Sequence, residues 1–243
     1  MTTADRWTQA VRHQLGLGRI LPLGGARDGA WISERAAETV LRRAADHLRG
    51  VRLDVLRIAL ADPDDVHDPA VPPPPSALPP GPLRVTAEFE ATAAEPLPTT
   101  AALLRTTLAA AATELLGLTV AEVDLRVTAL LDEEPLQGEE PEPVPAGPPE
   151  PPRAPEPSDG DEGRAAGAAL SVPGVTHLTG GLGRAVHIEE RHEEGALPHR
   201  HARVELAVDA DHRAVEVARE VRAVVREALP DHPTVAVLVT AVG

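Results

Sequence analysis

Leu83-Arg84-Val85-Thr86-Ala87-Glu88-Phe89-Glu90-Ala91 decides the fold. Apolar and polar residues alternate through it without a break, the pattern of a strand with one buried and one wet face. Leu83, Val85, Ala87, Phe89 and Ala91 are expected inside. An Ala-rich helix follows at about 99–116, with Leu104, Leu108, Ala111, Ala112 and Leu115 on its inner stripe. Gly117 is placed as its C-cap. Val123, Leu125, Val127 and Ala129 then alternate with Asp124, Arg126 and Thr128, which makes a second strand.

The same order returns in the C-terminal half. A strand at 201–209 has Val204, Leu206 and Val208 inside. A helix at about 211–229 carries Ala214, Val217, Ala218, Val221, Val224, Val225 and Ala228 at helical spacing. Val235–Val242 is apolar on both faces, the mark of a central strand. The copies end alike, in Val127-Thr128-Ala129-Leu130 and Val239-Thr240-Ala241-Val242. The expectation is an α+β chain of two small two-layer modules, each a sheet with helices on one face. They span 1–131 and 164–243, roughly 100 residues each and large enough for a core.

Residues 132–163 separate them. This stretch holds eleven acids, one Arg and ten prolines. Its net charge of −10 leaves −5 of the total −15 for the rest of the chain. With little to bury and much to repel, it reads as a disordered or extended linker, which makes the modules tethered rather than fused. At about 3.1 Å per residue it reaches on the order of 100 Å.

The N-terminal part adds a short helix at 5–16 with Trp7, Val11 and Leu15 on one side, then a small hairpin through Ile20 and Trp31. Ser33 is a good N-cap for a helix over 34–48, with Ala36, Val40, Ala44 and Leu48 in line, and Gly50 stops it. Val51–Leu60 changes phase once, which predicts a strand with a bulge. A Pro-rich loop at 66–82 contains eight prolines and cannot sit in a ladder. In the second half a helix at 164–171 ends at Val172-Pro173-Gly174-Val175, and strands follow near 175–179 and 184–190.

Composition removes several classes of function. Without Cys there is no disulfide, thiolate or cysteine-ligated metal. There is no Lys or Asn, and every basic residue is Arg, a bias typical of a GC-rich genome such as an actinobacterial one. No basic region followed by an apolar run opens the chain, and no run of about 18 apolar residues occurs, so a cytoplasmic protein without membrane insertion is expected. No Arg cluster interleaved with aromatics appears, so nucleic acid is not an expected ligand.

Seven of the ten histidines lie between His177 and His232. If 184–190 and 199–208 form a hairpin, His199 and His201 share a face, and His187 or His192 approaches them. A His–carboxylate metal site, or a pH-responsive segment at 187–201, is chemically possible. A solvated hairpin tip is the alternative. Gly180-Gly181-Leu182-Gly183-Arg184 resembles a phosphate-cradling loop but lacks the strand-before, helix-after context, so it reads as a flexible turn. Ser33, Ser76, Ser158 and Ser171 lie in caps, loops or the linker, and none sits in a nucleophile elbow. No catalytic residue and no cofactor are expected. Trp7 and Trp31 are either partner anchors or core residues.

The helix with Ala165-Ala166 running into Val172-Pro173-Gly174-Val175 resembles the bacterial alkaline shock protein family. So do the Arg203-Val204-Glu205-Leu206 strand, the helix with Glu216-Val217-Ala218-Arg219-Glu220-Val221 and the Val-rich strand at 234–242. In the first module, Gly117–Val127 is similar to the family's segment from last helix to last strand. The resemblance implies a non-enzymatic α+β protein of envelope homeostasis, recruited by a protein partner that can be membrane-anchored. Self-association is also open, because each sheet has edges. The proline-rich composition is further similar to nucleopolyhedrovirus fibrous-body proteins, a likeness of composition alone.

Overall fold

The computed structural model describes residues 17–131, 153, 160–192 and 198–243. These form an α+β fold with two sheets and four α-helices. The helix expected at 5–16, with Trp7, lies outside the described residues, as do 132–152 and 154–159 of the proposed linker.

The smaller sheet has the order β3 (Val51–Leu60), β4 (Leu83–Thr92), β5 (Val120–Leu131). β3 and β4 are antiparallel, and β4 and β5 are parallel. Leu83, Val85, Ala87, Phe89 and Ala91 are all buried, as the alternation requires. The phase change in β3 is a bulge between Leu53 and Leu56, with one extra residue on β3. On the wet face, Arg84 Nε lies 2.6 Å from Glu122 and 3.5 Å from Asp124, and Arg126 lies 2.5 Å from Glu88.

The crossover from β4 to β5 is α2 (Leu97–Ala110), extended by a π-helical turn over Ala111–Leu116. Gly117 ends it at φ 88° and donates its N–H to Ala112 O at 3.0 Å. The wider turn moves the core-facing position one residue on. Leu116 is therefore buried, while Leu115, expected inside, is 45% exposed.

The larger sheet runs β1 (Ile20–Pro22), β2 (Ala30–Ser33), β9 (Thr234–Val242), β8 (His199–Val208), β6 (Val175–Leu178), with β7 (Val186–Arg191) also on β8. β9 is parallel to both β2 and β8 and is buried on both faces. The crossover from β8 to β9 is α4 (Ala214–Ala228), so both halves contain the expected parallel strand–helix–strand unit. α4 packs on α3 (Asp161–Leu170) and β9, while α1 (Glu34–Ala45) packs on β9 and on β3. Ser33 caps α1, its Oγ accepting from Ala36 N at 3.2 Å.

The expected hairpin of Ile20 and Trp31 forms, but it joins the sheet of the other half: β2 pairs with β9. Every residue of β2 is buried, so it needs cover on two faces, and the one-sided smaller sheet offers cover on one. A single apolar cluster then runs from Phe89 and Leu104 to Val204 and Val237. Arg213 also donates to Thr113 O, and Gly24 N to Gly117 O. The two sheets are thus joined by packing as well as by residues 132–163. The Pro-rich loop covers the outer edge of β1, where Leu78 supplies the donor its neighbouring prolines lack, to Ile20 O at 2.8 Å.

Candidate functional site

β6 and β7 share the outer edge of β8 end to end. β6 pairs with Leu206–Val208 and β7 with His199–Val204. Glu205 falls at the break between them. Its N–H donates to Ala185 O at 2.7 Å, and its carbonyl accepts from Thr179 N at 3.0 Å. The chain from Gly180 to Arg184 therefore leaves the sheet, in a turn closed by Gly183 N on Gly180 O at 3.0 Å.

That turn folds over the helix-free face of the larger sheet. Leu182 packs there with Ile20, Trp31, Val71, Ala236 and Leu238. Leu182 N donates to Glu205 Oε2 at 2.9 Å, and the Gly181 amide also favours the charged carboxylate. The glycine-rich loop is thus pinned rather than flexible. Its amides hold a carboxyl group, and that carboxyl is the chain's own side chain.

Strand register puts Trp31, Leu238 and Glu205 in one row across β2, β9 and β8. Glu205 is fully buried. Arg203 Nε lies 3.4 Å from Glu205 Oε1, within ion-pair range but without hydrogen-bond geometry. Burial pushes the Glu205 carboxyl up to about 7, against the pull of the loop amides and Arg203. Trp31 is 1% exposed, so it is a core residue and offers no surface anchor. Its buried Nε1 has no hydrogen-bond partner among the described residues.

The expected pairing of 184–190 with 199–208 is present. Glu189 faces His201, His187 faces Arg203, and Arg191 faces His199. The period of two brings His187, His199 and His201 to one face of the sheet. Two arginines share that face. Glu189 is engaged by Arg191 at 3.3 Å and lies 3.6 Å from His187 Nε2. His201 is buried and hydrogen-bonded to the Thr234 hydroxyl through Nδ1 at 2.8 Å. Burial first, then the Arg191 cation, hold its imidazole down at about 4, so it does not change charge between pH 5 and 7. His192 is exposed, one residue past β7. Among the described residues no group of three or more His, Asp or Glu side chains is placed to hold a metal ion.

Sequence reasoning missed Glu205, which was read simply as part of a half-wet strand. A signal was present: a β9 apolar on both faces covers both sides of its parallel neighbour too. No family model matches the chain, and neither does any curated protein.

Proposed function

We propose that the protein is a non-enzymatic interaction protein of the alkaline-shock type, acting in envelope homeostasis through a protein partner. The supporting observation is how its reactive-type side chains are used. Glu205 holds the Gly181–Leu182 turn, and His201 holds Thr234. Both are engaged inside the larger sheet, one beneath its covering turn and one between neighbouring strands β8 and β9. Among the described residues no helix is long and apolar enough to cross a membrane, and the envelope role proposed here runs through a membrane-anchored partner. A tagged chain in its native cells, with soluble and membrane fractions kept apart, tests this. A stoichiometric membrane-protein partner is expected. Recovery of no partner from either fraction refutes the proposal.

Glu205 favours a second reading, in which partner binding responds to pH. Its carboxyl titrates near neutrality beneath a turn that reaches the surface. Partner affinity compared at pH 6 and pH 8, in wild type and Glu205→Gln, tests it. A pH response that survives the substitution removes Glu205 from the explanation.

A further inference from the structure

We propose that two copies of this chain join edge to edge through β5, antiparallel and centred on Leu125, into one six-stranded sheet. The inference goes beyond partner binding and does not depend on it. β5 pairs on one side, with β4, and among the described residues its other edge carries no strand. The β4–β5 register breaks beside Arg84 and beside Glu90, which leaves Glu122–Val127 as an unbulged run. An edge of that kind is a template for a further strand. Where β1 has its edge covered by Ala77 and Leu78, β5 has Arg105 Nε on Val123 O at 3.1 Å, a single side chain that can swing aside.

The sequence of β5 is complementary to itself in this register. Leu125 meets Leu125 of the partner subunit, and Val123 meets Val127 of the partner subunit. Val120 meets Leu130 of the partner subunit. Val127 and Leu130, 37% and 57% exposed in the single chain, gain apolar neighbours. On the wet face Asp124 meets Arg126 of the partner subunit, twice by symmetry. These contacts extend the ladders already present, since Arg84 lies against Asp124 and Glu88 against Arg126. Signs then alternate across the joined sheet: Arg84, Asp124, Arg126 of the partner subunit, Glu88 of the partner subunit.

Neighbouring registers lose this match. Centring on Asp124 or on Arg126 sets that residue directly against its own copy, which is destabilising. A half-residue shift puts apolar positions against charged ones. The antiparallel direction also sets the Leu131 ends of the two β5 strands at opposite ends of the joined sheet.

Sedimentation equilibrium of the full chain, with a charge-swap pair, tests the proposal. The wild type should associate toward twice its 25.5 kDa mass. Asp124→Arg and Arg126→Asp should each weaken self-association by about tenfold or more. Mixing the two variants should restore the dimer, because the mixed pair sets Arg against Asp at both contacts. Both side chains are exposed, and circular dichroism matching the wild type confirms that each variant is folded. A wild type that stays monomeric to about 0.5 mM, a dimer that neither variant weakens, or variants that fail to dimerise on mixing would overturn the proposal. If a single variant does not fold, Leu125→Arg provides the same readout at the axis.

Discussion

Replacing Glu205 with glutamine should make the protein more stable at pH 8 and slightly less stable at pH 5. The folded carboxyl titrates at about 7 against an ordinary value of 4.5. Its folded pKa is raised, so its favourable contribution is complete below pH 4.5 and is lost as pH rises through 7. At 1.36 kcal/mol per pKa unit, the buried charge costs about 3 kcal/mol at pH 8. Glutamine carries no charge, but it accepts less well from the Gly181 and Leu182 amides, a loss of about 1 kcal/mol at every pH. The variant should therefore gain about 2 kcal/mol at pH 8, or about 4–8 °C in Tm for a chain of this size. His201 works in the opposite sense. Its folded pKa is lowered from 6.5 to about 4, so its contribution is complete above pH 6.5 and is lost as pH falls through 4. Between pH 4.5 and 6.5 the two slopes nearly cancel in the wild type. Glu205→Gln should expose the His201 slope, with stability rising by about 3 kcal/mol from pH 4 to 6.5. Urea unfolding at pH 4, 5, 6.5 and 8 measures this. A difference between variant and wild type that is the same at pH 5 and pH 8 refutes the reasoning.

Gly117→Ala should cost about 3 kcal/mol, because φ is 88° and the new methyl would sit 2.2 Å from Val215 Cγ1. Denaturant unfolding of the single variant and of the double with Val215→Ala checks it, and the double should recover part of the loss. Asp28→Asn should cost about 0.5–1 kcal/mol by weakening the two 2.9 Å bonds from Arg219, whose side chain is half exposed. Arg219 holds the Asp28 carboxyl below the ordinary 3.8, so this contribution is present above pH 3.8 and fades at lower pH. Thermal melts at pH 7 and pH 3 should show that loss at pH 7 and a smaller one at pH 3. Leu78→Pro removes the donor to Ile20 O and should cost about 1 kcal/mol. Hydrogen exchange should show faster opening of β1, with β4 unchanged.

The parts legible in the sequence were those with a strict local period. The alternation of β4 gave its buried face residue by residue, and the phase change in β3 gave its bulge. The shared face of His199 and His201 followed from the same period of two. Leu115 was misplaced because a π turn changes the helical phase without any local mark. The N-terminal hairpin was seen, but not its sheet, since pairing over 207 residues leaves no periodic trace. Glu205 was overlooked because alternation was read one strand at a time. Its environment comes from the neighbours β9 and β6–β7 and from a turn that bends over it. Arg191 and Arg203, which face the histidines, are likewise neighbours in register and not in spacing.

The parallel pairing of β2 with β9 has a consequence for synthesis of the chain. Ser33 and its contact Thr240 are 207 residues apart. At about 5–20 residues per second, some 10–40 s pass between the emergence of one and the other. The smaller sheet has all three of its strands by Leu131, within that interval. β2 waits through all of it with two apolar faces and an unfilled edge, until the central strand of the larger sheet is made. Biogenesis of this protein is therefore most vulnerable in that interval: a ribosome that stops before residue 234 leaves the strands of the small sheet attached to a hairpin whose β9 partner has not been made.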